Sequence, residues 1–176
     1  STIIAVFMGG LALGAWWAGR RWTRGSFSLR LYGRVEIGIA VAAALATLVM
    51  KFLPEIYAGI FVPAGGSPAS ASDLSHIPAR LLLSALVLAT PTFLIGPTLP
   101  IVTRWRTRSR QEVGSRLGLY YGINTLGAVA GTLATGFLLI GILGEARTVA
   151  CAVILNGLIG CIALLHPEAG RAVTAS

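Results

Sequence analysis

The sequence predicts an all-α integral membrane bundle of about five transmembrane helices, and three observations favour this fold class. Of 176 residues, 55% are hydrophobic and only 11% are charged, whereas a soluble domain carries roughly 25% charged residues to cover its surface. The apolar residues form five long runs, and most of the arginines lie between those runs. Much of the surface must therefore face lipid, and we interpret residues 1–176 as a single transmembrane helical domain.

The first apolar run, residues 2–19, carries no charge and is followed directly by two arginines. It is slightly shorter than the roughly 20 residues that cross a bilayer, but tryptophans near its end mark a membrane interface. A cleaved signal peptide would carry its basic residues before the apolar run rather than after it. The tryptophans are Trp16, Trp17 and Trp22.

The second predicted span, residues 35–53, contains Glu36 near its start and Lys51 near its end. Both side chains can reach the headgroup region, so neither prevents a crossing. Residues 54–79 follow and include the stretch PAGGSPASASD, which is small, polar and rich in helix breakers. We predict that this segment is an external loop, with room for a short interfacial piece near its start.

Three further spans are predicted, over residues 80–103, 117–144 and 148–165. The third span contains three prolines, which membrane helices tolerate as kinks when neighbouring groups satisfy the freed carbonyls. A basic loop separates the third span from the fourth, and a short turn at Glu145–Arg147 separates the fourth from the fifth. The prolines of the third span are Pro91, Pro97 and Pro100.

The arginines predict the orientation of the spans, because positively charged loops stay on the cytoplasmic side. The two loops on one side hold Arg20, Arg21, Arg24, Arg30, Arg34, Arg104, Arg106, Arg108, Arg110 and Arg116. The opposite side holds Lys51, Arg80 and Arg147. We therefore predict a multi-pass protein of the bacterial inner membrane with its amino terminus outside and its carboxyl terminus in the cytoplasm. This placement also argues against nucleic acid as the partner of the basic residues.

Glycines four residues apart are the most informative pattern for packing, because small residues at this spacing form a groove for another helix. The candidate packing residues are Gly10, Gly14, Gly118, Gly122, Gly127 and Gly131. The alternative is that glycine is simply common in membrane helices. Asn124 and Asn156 lie deep in apolar spans, where a carboxamide is costly facing lipid. We interpret both as hydrogen-bonding residues between helices, with a substrate or ion ligand as the alternative.

The remaining polar residues do not form a recognisable reaction centre. Glu36 is expected to pair with Arg34 or another arginine at the interface, although a proton relay is conceivable. His76, His166, Cys151 and Cys161 do not have the spacing of metal ligands, and ten residues on one helix separate the two cysteines too widely for a disulfide. We predict no catalytic residue, no metal and no cofactor, with contact to a lipid, quinone or pigment left open.

Three pieces of the sequence resemble a known family: LALGAWWAGRR, PTFLIGPTLPIVTR and YYGINTLGAVAGTLATGFLLIGILG. They are similar to the membrane half of the bacterial spermidine-synthase-like membrane proteins, in which a helical bundle precedes a soluble aminopropyltransferase-type domain. The matching positions are Tyr121, Asn124, Thr125, Gly127, Ala128, Gly131, Gly136 and Phe137. These 176 residues do not include the soluble domain. The resemblance therefore implies a bundle architecture but not aminopropyl transfer.

The leading functional expectation is a non-catalytic integral membrane subunit that packs against other membrane proteins and lipids. It would stabilise a larger complex, for which respiratory and photosynthetic assemblies are two examples. One alternative is the membrane-anchoring half of a spermidine-synthase-like aminopropyltransferase, of which this chain would be a fragment. Another is a small transporter-like protein, because AGRRWTR resembles, more weakly, a short loop of major-facilitator transporters. The first residue, Ser1, is of a type that often follows a removed initiator methionine. We therefore expect the chain to be complete.

Overall fold

The structure is a computed structural model that describes residues 2–22, 27–61, 77–106 and 110–167. These residues form helices, with no strand among them. Five helical segments are long and apolar enough to cross a membrane: Ile3–Arg21, Leu29–Glu55, Leu81–Trp105, Arg116–Leu143 and Glu145–Leu165. The prediction of an all-α bundle with about five spans is therefore confirmed, and the chain has the architecture of a multi-pass membrane protein.

The helices are α1 (Thr2–Arg21), α2 (Leu29–Phe61), α3 (Ile77–Ile95), α4 (Thr98–Arg106), α5 (Arg110–Ala134), a π-helical segment (Thr135–Leu139), α6 (Ile140–Leu143) and α7 (Glu145–Leu165). The first span is α1 and the second lies in α2. The third combines α3 with α4, the fourth runs from α5 through the π-helical segment to α6, and the fifth is α7.

The loop predicted for residues 54–79 is shorter in the structure at both ends. Helix α2 continues through Pro54 to Phe61, and α3 already begins at Ile77. A proline inside a helix removes one backbone donor and does not prevent the following residues from bonding to the turn before. Pro78 lies in the first turn of α3, where its missing N–H would have no intrahelical acceptor. The rest of the predicted loop, residues 62–76, lies outside the described residues.

The third span is interrupted rather than only kinked. Helix α3 contains Pro91 and ends at Ile95, and α4 starts at Thr98 after a turn at Gly96 and Pro97. Threonine hydroxyls bond to backbone carbonyls around the break: the Thr98 hydroxyl donates to the Ile95 carbonyl at 2.7 Å. Such a side-chain donor satisfies a carbonyl at the end of α3, where the helical hydrogen bonds stop.

The fourth and fifth spans are joined by one residue, so the predicted turn at Glu145–Arg147 is instead the first turn of α7. The joining residue is Gly144, with φ 78° and ψ 167°. At the other end, α5 begins at Arg110, seven residues before the predicted start of the span at residue 117. Helical structure therefore replaces most of the predicted basic loop, since α4 ends at Arg106.

Four of the long helices form a row, in which α1 contacts α3, α3 contacts α2, and α2 contacts α7. Helix α4 lies against α2 and also touches α1. The buried apolar core is small and lies where α2 meets α4, around Phe27, Val35, Ile39 and Ile101. The fourth span is attached at its two ends, because α5 contacts α4 while α6 and the π-helical segment contact α7.

Candidate helix-packing surfaces

Gly10 and Gly14 lie where the backbone of α1 meets α3. A Cβ atom at Gly10 would lie 2.8 Å from the Thr92 Cβ atom, and one at Gly14 would lie 2.9 Å from the Phe93 carbonyl carbon. Real Cβ atoms essentially never make contacts this short. Gly96 faces α1 in return, since a Cβ atom there would collide with the α1 backbone. The two helix backbones can therefore approach this closely because glycines occupy the crossing.

The α1–α3 contact also covers a carbonyl that a proline has freed. Pro97 has no N–H, so the carbonyl of Phe93, four residues earlier, lacks the usual helical donor. The oxygen of that carbonyl is the atom nearest to the Cβ position of Gly14. The close approach of the glycine backbone shields this acceptor from lipid. A carbonyl exposed to lipid without a hydrogen bond costs on the order of several kcal/mol.

A second close crossing joins α2 to α7 through Gly33 and Gly160. A Cβ atom at Gly33 would lie 2.7 Å from the Gly160 carbonyl oxygen, and one at Gly160 would lie 2.9 Å from the Gly33 carbonyl oxygen. Both glycines are buried. The spacing of glycines along the sequence does not predict this pair, because each glycine has its counterpart on the other helix rather than four residues away on its own.

Aromatic rings and arginines pack together at the arginine-rich end of the row. The Trp22 ring lies 5.6 Å from the Trp17 ring and 6.5 Å from the Phe27 ring, both edge to face. The Arg104 guanidinium lies 4.9 Å from the centre of the Phe27 ring, in the geometry of a cation–π contact. These contacts link the end of α1, the start of α2 and the end of α4.

Glu36 lies inside the protein rather than at its surface. Its side chain is 7% exposed, and its hydrogen-bond partner is the hydroxyl of Tyr32, one turn earlier on α2. The predicted pairing with Arg34 is not formed, because Arg34 is exposed on another face of the helix. A residue two positions away on a helix points about 200° around the axis, which explains the separation.

The fourth span has the most glycines and the fewest internal contacts. No residue between Arg116 and Leu143 is buried. A Cβ atom at Gly118, Gly122, Gly127, Gly131, Gly136 or Gly141 would meet no atom within 4 Å. The predicted packing glycines of this span thus face no other described helix of the chain, in contrast to Gly10 and Gly14.

The candidate residues of the fourth span divide between two faces of α5. At about 100° per residue, Asn124, Gly127 and Gly131 fall within roughly 60° of one another. Gly118 and Gly122 point to the opposite side by the same arithmetic. We refer to Asn124, Gly127 and Gly131 as the open face of α5. Gly118 and Gly122 are therefore not part of the open face, although they have the same four-residue spacing.

The two intramembrane asparagines differ from the threonines around them. The hydroxyls of Thr125 and Thr132 donate to carbonyls one turn earlier, at 2.8 Å in both cases. Asn124 is exposed, Asn156 is half-buried on α7, and neither carboxamide bonds to another described residue. Their predicted role as bonds between helices is therefore not realised within the described part of the chain.

No family model, no curated protein sequence and no solved structure matches the chain significantly. The resemblance to spermidine-synthase-like membrane proteins therefore stays a prediction that rests on the three pieces of sequence that carry it. Among the described residues, no three His, Cys, Asp or Glu side chains lie together as metal ligands would. Cys151 and Cys161 are both exposed and unbridged.

Proposed function

We propose that this chain is a non-catalytic integral membrane subunit that packs against and stabilises a larger membrane protein complex. One observation carries the proposal: a whole span, Arg116–Leu143, contains no buried residue although glycines recur along it. A glycine inside a helix is roughly 0.5–1 kcal/mol less favourable than alanine, and no close contact with another described helix offsets that cost here. A transmembrane helix from outside these 176 residues could pack closely against the glycines.

The chemistry of the open face specifies the kind of partner. Gly127 and Gly131 leave a shallow groove that admits the backbone of another helix, and packing in lipid is driven by such close contact. Asn124 on the same face offers a carboxamide that both donates and accepts hydrogen bonds. We therefore expect a transmembrane helix with small residues at the crossing and a polar side chain at the depth of Asn124. The exposed neighbours Leu126 and Val129 are suited to the surrounding lipid.

The same proposal includes a location. The excess of arginines around the loops before α2 and before α5 favours the bacterial inner membrane, with the amino terminus outside and the carboxyl terminus in the cytoplasm. The aromatic and arginine contacts at that end of the row suit the headgroup region, where indole rings and guanidinium groups are both stable. The proposal assigns no catalytic residue to this chain.

Replacing Gly131 with leucine tests the role of the open face. The expected result is loss of the partner on gentle extraction, because a leucine would hold the two backbones apart at a cost of about 1–3 kcal/mol. The chain itself should fold normally, since no described atom lies within 4 Å of a Cβ atom at Gly131. The measurements are co-purification from native membranes and helical content of the purified chain.

The matched control is Ala130→Leu, which enlarges an equally exposed residue about 100° around the same helix. We expect this variant to keep the partner, because leucine facing lipid costs little. Wild-type protein that runs alone as a monomer would contradict the proposal, as would equal loss of the partner in both variants. A partner helix that proved to come from a longer form of the same chain would instead favour the synthase-like alternative.

A further inference from the structure

A groove runs along the surface between α2 and α3, on helices that do not belong to the fourth span. It has a volume of about 680 Å³, which is within the range of sites for small molecules. Small residues form its base on α2, namely Gly38, Ala42 and Ala46, and Leu86 and Thr90 of α3 form the opposite wall. The groove exists because four-residue spacing of small side chains leaves a channel along one helix face.

The groove is apolar along most of its length and basic at one end. It extends from Arg34 to Val49 on α2, which is about 22 Å at 1.5 Å per residue. One leaflet of a bilayer has a hydrocarbon depth of about 15 Å, half of the roughly 30 Å core. The groove is therefore long enough for one acyl chain together with the headgroup region that precedes it.

Two arginines lie at the basic end of the groove. Arg34 lines the groove and Arg30 lies one turn earlier on the same helix face. Both side chains are exposed, and neither forms an ion pair with an acid in the described part of the chain. The nearest acid in the sequence, Glu36, is buried beside Tyr32 on a different face.

We propose that the α2–α3 groove binds one anionic phospholipid, with its headgroup at Arg34 and Arg30 and an acyl chain along Gly38 to Val49. Charge complementarity selects this occupant. The phosphate of an anionic lipid accepts hydrogen bonds from a guanidinium group, and no second, positive headgroup charge opposes the arginines. In the proposed orientation Arg34 lies at the cytoplasmic leaflet, where the negative surface potential of anionic lipids attracts basic residues. The inference is independent of the proposed partner of the fourth span.

The test compares phosphatidylglycerol with phosphatidylcholine of the same acyl chains, added to the purified full chain in detergent. Bound lipid is counted by native mass spectrometry. We expect the wild type to retain phosphatidylglycerol preferentially, and Arg34→Gln to lower that preference about fivefold, the factor for one arginine near an anionic surface. The control is Arg147→Gln, an equal change of charge at an exposed position on α7, which should leave the preference unchanged.

A second pair of variants tests the apolar part of the groove. Ala46→Phe fills the groove, whereas Ala44→Phe adds the same ring at an exposed position outside it. We expect only the first to remove bound phosphatidylglycerol, with both variants keeping the helical content of the wild type. Equal retention of the two lipids by the wild type would overturn the proposal. So would an equal effect of Arg147→Gln, or a prenylquinone that displaces phosphatidylglycerol from the wild type at equal concentration.

Discussion

Gly144 shows how much one residue determines at the junction of the fourth and fifth spans. Its torsions, φ 78° and ψ 167°, lie in a region that residues with a Cβ atom avoid. No atom lies within 4 Å of a Cβ atom at this position, so steric contact with neighbours is not the reason for glycine. The requirement is local to the backbone, and it follows from reversing the chain direction in a single residue.

We expect Gly144→Ala to lower the free energy of unfolding by about 1–3 kcal/mol, the usual cost of a side chain in such a backbone conformation. The measurement is thermal or denaturant unfolding of the purified chain in detergent. Gly141→Ala is the control, because Gly141 is helical and equally open, so alanine there should be neutral or slightly stabilising. Similar destabilisation by both variants would show that the backbone torsions of Gly144 are not the reason why glycine is needed there.

The sequence pattern alone could not separate the packed glycines from the open ones. Gly10 and Gly14 share their spacing with Gly127 and Gly131, yet the first pair contacts α3 and the second contacts no other helix among the described residues. Spacing reports that one face of a helix is flat, whereas packing also depends on what lies opposite. The residues that lie opposite come from another helix, and their position is not given by the spacing along one helix. The contact between Gly33 and Gly160 could not be predicted from the sequence for the same reason.

Among the elements, the contact of α1 with α3 depends on backbone proximity more than on apolar area. Gly14→Ala should destabilise the chain by about 1–3 kcal/mol, because the added methyl group must push α1 away from the Phe93 carbonyl. Gly9→Ala is the matched control on the same helix, since a Cβ atom at Gly9 meets nothing within 4 Å. The measurement is the free energy of unfolding of both variants in the same detergent. A neutral Gly14→Ala would contradict the close crossing.

Helix ends were less predictable than helix existence. The proline at Pro54 was interpreted as the start of a loop, but α2 continues beyond it for seven residues. A proline removes only one backbone donor, and the amides that follow it can still bond to carbonyls one turn earlier.

For the whole molecule, the five apolar runs were sufficient to predict the fold class, because bilayer thickness leaves few structures for such runs. The order of helices in the row was not predictable in the same way. Lipid contacts and protein contacts are equally apolar, so a run of leucines and valines does not show which side faces a neighbour. The sequence therefore predicts the open face of α5 as a packing surface, but not whether its neighbour is a helix of this chain or of a partner.

The orientation is tested at the scale of the whole molecule by labelling from one side. After replacement of Cys151 and Cys161 by alanine, a Ser70→Cys variant should react with an impermeant maleimide applied from outside, and Ser109→Cys should not. The reason is the excess of arginines around Ser109, which favours a cytoplasmic position for that residue. Reaction of both cysteines from the same side would contradict the five-span topology.

The single-residue connection at Gly144 also has a consequence for biogenesis. Most membrane hairpins have a loop that can rest in the aqueous phase after one span has entered the bilayer and before the next follows. Here α6 ends at Leu143 and α7 begins at Glu145, so there is no loop between the two spans that could lie in the aqueous phase. The fourth and fifth spans should leave the insertion machinery together as one helical hairpin, and only then would the open face of α5 become available to a neighbour during assembly.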